Sequence, residues 1–170
     1  MLQFIYDVLG KYADPKLYYL LESDTDSLYL TLGKPSFDEI IKPELKAEYE
    51  SIKHKYFVID EEKDRRTPGL LKVEFVGTEM ICLTSKTYCV RGETEDKSSS
   101  KGLMKRSNIV DIEAMRSVLE NKKAGVGINT GFINSNLTIK TYVQPKFGLS
   151  YLYIKRITNA DGVTTSPLEL

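Results

Sequence analysis

Residues 18–32 read YYLLESDTDSLYLTL and predict a β-hairpin. Two runs rich in Tyr and Leu, at 16–22 and 27–32, flank a tetrapeptide at 23–26 that is poor in strand-forming residues. We therefore expect acidic side chains at the hairpin tip. Asp24 and Asp26 are two residues apart, so in an extended backbone both carboxylates would project from one face.

Helical patterns lie on both sides of this hairpin. Apolar residues recur at intervals of three and four over 2–12, which predicts a short amphipathic helix that ends at the Asp-Pro pair at 14–15. The stretch 36–39 resembles a capping box. We expect a helix from there towards residue 55, kinked or restarted at Pro43.

Strand patterns dominate the second half of the chain, and together with the helices they predict an α+β fold. Asp111 can cap a helix that ends near residue 123. Charged or Gly/Ser-rich residues predict loops at 60–69 and 92–100. The predicted strands are 71–75, 80–90, 126–133, 137–143 and 149–157.

The charge distribution narrows the classes of function. With 24 basic and 24 acidic side chains the formal net charge is zero, which excludes a globally basic nucleic-acid binder. Residues 1–50 carry a net charge of −5 and residues 101–156 a net charge of +7. This asymmetry suits a protein that holds cations at one place and a polyanion at another, although chance clustering on solvated faces gives the same pattern.

Cysteine and histidine are too few for a zinc site or a Ser-His-Asp or Cys-His catalytic site. The single histidine, His54, lies in a charged run, and on one strand over 80–90 Cys82 and Cys89 would be about 23 Å apart. We expect reduced, buried thiols. There is no apolar run of the roughly 20 residues that cross a membrane, and no secretory signal. We expect an intracellular protein, with nucleus, organelle and viral factory all left open as compartments.

The carboxylate pair at the hairpin tip is the candidate for chemistry. Two carboxylates this close raise each other's pKa unless a cation lies between them. An oxygen-only site at a turn suits Mg²⁺, which leaves positions open for substrate phosphates. Asp24 and Asp26 are therefore candidate metal ligands, and such a site needs at least one further carboxylate. The alternative is a polar turn without a metal, the common case for an isolated Asp-x-Asp.

The order of motifs resembles a polymerase family. Residues 18–32 resemble the Asp-Thr-Asp-Ser hairpin in the palm of family B DNA polymerases. Lys86-Thr87-Tyr88 resembles the Lys-x-Tyr motif of that family, especially of its protein-primed branch. Further stretches are similar to the adjoining parts of polymerases of viral and self-synthesising DNA-transposon origin: 67–74, 101–106, 151–156 and 161–168.

This resemblance implies a role for each matching residue. Asp26 would be the main metal ligand at the catalytic site, and Asp24 an acidic neighbour that shapes it. Lys86 and Tyr88 would hold the primer strand near its 3′ end. Three residues would contact DNA phosphates without reading bases, with a solvated basic loop as the alternative: Lys101, Lys105 and Arg106.

The chain departs from the family pattern at several points. Glu22 replaces the aromatic residue that often stands two places before the Asp-Thr-Asp run. The first palm motif with its catalytic aspartate, the fingers helix and the proofreading exonuclease have no counterpart in the sequence. We therefore expect a fragment that does not polymerise alone.

These inferences combine into one prediction. Residues 1–110 would form the C-terminal portion of a palm, an antiparallel sheet with packed helices, and 111–170 the start of a thumb-like region of helix and hairpin. The expected function is nucleotidyl transfer from a dNTP to a primer 3′-hydroxyl by two-metal catalysis with Mg²⁺. The expected partners are a DNA primer-template, dNTP, a terminal protein primer and the missing N-terminal polymerase portion. The alternative is a catalytically dead DNA-binding remnant of a mobile-element or viral polymerase.

Overall fold

The computed structural model describes residues 1–152 and 156–167. The fold is mixed α+β with small antiparallel sheets and a few helices, as predicted. The chain divides into two compact units, Met1–Glu74 and Phe75–Leu170. The predicted boundary between palm and thumb at 110/111 stays a prediction. In the part of the chain that the structure describes, no helix is both long enough and apolar enough to span a membrane.

The first unit contains the two elements predicted with the clearest patterns. Helix α1 runs through Phe4–Leu9 and Gly10–Tyr12 and ends before the Asp-Pro pair, as predicted. Strands β1 (Tyr18–Asp24) and β2 (Ser27–Leu32) form the predicted hairpin. Leucines of β2 pack on the buried face of α1, which fixes the hairpin on the core of this unit.

The predicted helix from 36 towards 55 is wrong in its first half. After a single 3₁₀ turn at Phe37–Glu39 the chain extends, and Ile41 forms a β-bridge with Ala13. The adjacent residues Ile40 and Ile41 are both buried there. In a helix these two side chains would lie 100° apart around the axis. The restart at Pro43 is confirmed: a 3₁₀ turn at Pro43–Leu45 leads into helix α2, Lys46–Ile52.

Residues 56–74 also differ from their predictions. The predicted loop at 60–69 contains a one-turn helix, α3 (Glu61–Asp64), because the Asp60 carboxylate accepts hydrogen bonds from the Glu62 and Lys63 N–H groups at 3.0 and 3.3 Å. The predicted strand at 71–75 is wrong. Leu71 makes only an isolated parallel bridge with Phe57, and the residues after it pair with no strand.

The second unit opens with a three-stranded sheet in the order β3-β4-β5. The single strand predicted at 80–90 is a hairpin of β3 (Glu79–Thr84) and β4 (Thr87–Arg91), and the loop predicted at 92–100 contains β5, Lys97–Ser99. Ile81 lies opposite Cys89, so Cys82 and Cys89 project from opposite faces. Both are thiols, as predicted, but the hairpin and not a long separation is the reason, and only Cys89 is buried, whereas Cys82 is half-buried.

Helix α4, Ile112–Asn121, packs on this sheet. The Asp111 carboxylate accepts a hydrogen bond from the Ala114 N–H at 2.8 Å, which confirms the predicted cap. Ile112, Met115 and Val118 are buried, whereas Leu119 is exposed. The helix ends in a left-handed residue at 122.

A long antiparallel hairpin follows α4. Strand β6 (Gly125–Ser135) contains the predicted strand 126–133, and β7 (Thr138–Leu149) contains the predicted strand 137–143 except for Leu137. Leu137 and Asn136 form the two-residue turn, with positive φ at both residues. The last elements form a small hairpin, β8 (Arg156–Thr158) and β9 (Thr165–Pro167). The predicted strand 149–157 is wrong over 150–152, which lie in no strand, while Leu149 ends β7 and Arg156 begins β8. Residues 153–155 lie outside the described residues.

Candidate functional site

Asp24 and Asp26 lie at the turn of the first hairpin. Asp24 is the last residue of β1 and pairs with Ser27, and Thr25 between the carboxylates has a φ of 50°. The Asp26 N–H donates to the Asp24 carbonyl at 2.6 Å, and the Thr25 hydroxyl donates to the Asp24 carboxylate at 3.2 Å. The chain therefore reverses between the two aspartates, and the prediction that an extended backbone directs both to one face is wrong.

Glu22, not Asp26, shares a strand face with Asp24. A bulge at Leu21 shifts the register, so that Glu22 lies opposite Tyr29 and Asp24 opposite Ser27. Both acidic residues are half-buried, while the residue between them is exposed. Glu22 was not predicted as a site residue, although the two-residue alternation along β1 places it on the same face as Asp24.

The tip can offer oxygen ligands to a cation from two directions. Asp26 is exposed at the turn, and Asp24 and Glu22 share one face of β1. Across residues 1–152 and 156–167, no three acidic, histidine or cysteine side chains gather as a complete metal site would require. The assignment of Mg²⁺ to Asp24 and Asp26 therefore stays a prediction.

The residues predicted to bind DNA all lie in the second unit, and pairing of β4 with β5 brings several of them together. Lys86 is in the β3–β4 turn with a φ of 63°. The prediction that it lies in a strand is wrong. The Ser99 hydroxyl donates to the Lys86 carbonyl at 3.1 Å, and the Lys101 N–H donates to the buried Thr87 hydroxyl at 3.3 Å. Tyr88 lies on β4, half-buried and opposite Ser99.

The basic stretch 101–106 continues from this edge as a folded loop. The Lys105 ammonium donates to the Ser98 carbonyl, which turns the loop back over β5. The side chains of Lys101, Lys105 and Arg106 are exposed. The loop predicted from sequence is thus a loop, and it presents its charges to solvent beside the Lys86 turn.

Two asparagine side chains hold this loop against β6. Asn129 donates to the Gly102 carbonyl at 2.6 Å and accepts from the Met104 N–H at 3.1 Å. Asn108 donates to the Met104 carbonyl at 2.8 Å and to the Ile128 carbonyl at 2.9 Å, and accepts from the Ile128 N–H at 2.6 Å. These bonds fix the backbone on both sides of the charged residues.

Lys146 is a second residue that the sequence analysis missed. It lies on β7 opposite Gly127. A Cβ added at Gly102 would lie 3.3 Å from the Lys146 Cε and 3.5 Å from its Nζ. The Lys146 side chain therefore passes over the loop glycine. Residues 102 and 146 are far apart in sequence, so only the strand register reveals their proximity.

Two arginines of the same unit, Arg91 and Arg116, are neutralised by ion pairs with glutamates. Arg91 and Arg116 share Glu79 and Glu113 in a ring of ion pairs, with 3.2 Å between Arg91 and Glu79 and 3.3 Å between Arg116 and Glu113. A hydrogen bond from Arg91 holds the pKa of Glu113 below its ordinary value. Such exposed pairs add little stability, but each arginine charge is balanced by a glutamate.

Lys101, Lys105, Arg106 and Lys146 are among the cations that make no salt bridge with a carboxylate in the described part of the second unit. Together with Lys86 they are called the basic cluster below. A group of cations held on a fixed backbone can contact an extended polyanion at several points. Comparison with protein-family models, with curated proteins and with solved structures gives no match.

Proposed function

We propose that this chain is the C-terminal palm portion and thumb start of a family B DNA polymerase, of the viral or DNA-transposon kind, and that its basic cluster binds the primer-template backbone. The observation that supports the proposal best is the convergence of residues 86, 101 and 105 through the β4–β5 pairing. A phosphate backbone has a charge at regular intervals, so cations on a fixed loop bind it without reading bases.

In the proposed reaction the primer 3′-hydroxyl oxygen attacks the α-phosphorus of a dNTP, pyrophosphate leaves, and the hydroxyl proton is released. A bound Mg²⁺ would supply stabilisation of the charge on the attacking and leaving oxygens. Asp24 and Asp26 would hold that ion through carboxylate oxygens, and Glu22, which shares the face of β1 with Asp24, would offer a further carboxylate. The first palm aspartate and the fingers are expected outside these 170 residues, so the chain alone does not extend a primer.

The first test measures binding of a fluorescent primer-template duplex by anisotropy at several salt concentrations. In the Lys101→Ala/Lys105→Ala variant, two phosphate contacts are lost, and the slope of log K against log salt should fall by about 2. The matched control is Lys123→Ala/Lys140→Ala, which removes the same charge from exposed positions of the same unit. An equal loss of affinity in the control would contradict the proposed interface.

A second test separates the polymerase from the DNA-binding remnant. If Asp24 and Asp26 hold Mg²⁺ with a dNTP, Mg²⁺ should raise the dNTP affinity of the protein–DNA complex, and Asp26→Asn should abolish that increase. DNA binding that ignores both Mg²⁺ and Asp26→Asn would favour the remnant. Primer extension by the 170-residue protein would refute the expectation that it needs a further carboxylate.

A further inference from the structure

The β6–β7 hairpin has one polar and one apolar face. Its strand register places six large apolar side chains on the same side, hereafter the apolar hairpin face: Val126, Ile128, Phe132, Ile139, Val143 and Phe147. The remaining residues of that side are Thr130, Asn134, Thr141 and Pro145. No side chain on this face is charged, whereas Lys140 and Lys146 project from the other face.

The apolar hairpin face is exposed in the single chain. Each of its six side chains is between 54% and 79% exposed. From the areas of such side chains, the face offers about 700 Å² of apolar surface. This is more than the roughly 300–600 Å² of the largest patch on a typical monomer. A two-stranded hairpin is also marginal in water unless something packs on it.

We propose that a second copy of this chain covers the apolar hairpin face in a two-fold symmetric, sheet-on-sheet dimer. Two such faces would bury on the order of 1,400 Å², within the roughly 1,200–2,000 Å² of stable interfaces. The face is self-compatible because it carries no charge that a copy of itself would repel. Phe147 and Phe132 lie six residue pairs apart with smaller side chains between them, so a two-fold axis through the middle exchanges its two aromatic ends.

The test measures the mass of the full chain by sedimentation velocity from low to high micromolar concentration. We expect the 19.3 kDa chain to give a dimer that dissociates on dilution. Phe132→Glu/Val143→Glu should be monomeric throughout, because it places like charges in the interface. The matched control, Ile133→Glu/Gln144→Glu, changes the adjacent positions on the other face and should remain dimeric. A monomeric wild type, or a dimer that tolerates Phe132→Glu/Val143→Glu, would overturn the proposal.

A fluorescence readout does not depend on disruptive variants. The chain has no tryptophan, so Val143→Trp introduces a single reporter on the apolar hairpin face. Its emission should shift to the blue as concentration rises, while that of Gln144→Trp should not. An emission independent of concentration would overturn the proposal. So would a shift that occurs only on addition of phosphatidylcholine vesicles, since the occupant would then be a lipid surface.

Discussion

Replacement of Asn108 by alanine tests whether the basic loop owes its shape to β6. The Asn108 amide makes three hydrogen bonds, to the Met104 carbonyl and to both backbone groups of Ile128. Pro145 lies opposite Ile128 and has no N–H to donate, and the N–H and carbonyl of Ile128 both bond to Asn108. Asn108 therefore takes the place that a neighbouring strand would have at this edge.

The expected loss follows from these bonds. Each is worth about 0.5–1.5 kcal/mol net, and water can reach this edge of the hairpin, so the lower part of that range applies. Asn108→Ala should lower the free energy of unfolding by about 2 kcal/mol. DNA affinity should fall by about fivefold, because the loop must then be ordered on binding. The bonds of Asn129 remain and limit the effect.

Two measurements check this prediction. Urea unfolding gives the free energy of unfolding. Hydrogen exchange gives the protection of the Ile128 N–H, which donates to the Asn108 side-chain oxygen. The control is Asn121→Ala, which removes one exposed side-chain bond to Ser117 and should change stability by less than about 0.5 kcal/mol. If the Ile128 amide exchanges equally fast in the wild type and in Asn108→Ala, the loop is not held in the way described.

Two further predictions concern stability. Asp111→Ala should lower the free energy of unfolding by about 1 kcal/mol by removing the cap of α4, whereas Asp111→Ser, which keeps an acceptor, should not; equal losses in urea unfolding would exclude capping as the cause. Burial raises the pKa of the Cys89 thiol to about 11 from 9.0, so its contribution to stability is full below about pH 9 and is lost as the pH rises to about 11. Cys89→Ala should therefore flatten the pH dependence of unfolding in that range, and parallel curves for the two proteins would contradict this.

The hairpins show how far local sequence determines the strands of this fold. The β1–β2 turn could be predicted because 23–26 lacks strand formers between two strand-like runs. The β3–β4 turn could not, since its two residues are Ser85 and Lys86, and the lysine adopts a positive φ that sequence patterns assign to Gly or Asn. Strand β5 was not predicted for a different reason. Its Lys-Ser-Ser sequence has low strand propensity, and pairing with β4 imposes the extended conformation.

The same limit applies to the candidate site. Lys86, Lys101 and Lys105 could be selected from the sequence because they resemble or follow a known motif. The residues that give the basic cluster its shape could not, because Asn129 and Lys146 meet the loop, and Asn108 meets β6, only through contacts that are distant in sequence. Long-range partners of a loop carry no periodic or local signal.

The β6–β7 hairpin places two proposed interfaces on the two faces of one element. Lys146 and Asn129 on the polar face contact the basic loop, and their neighbours in sequence on the other face are uncharged. Because side chains alternate along a strand, a shift of register by one residue would exchange the two sets. Asn108 bonds to both backbone groups of Ile128, and therefore fixes which edge position of β6 meets the loop. The contact that orders the basic loop thus also keeps the uncharged side of the hairpin directed towards a second copy.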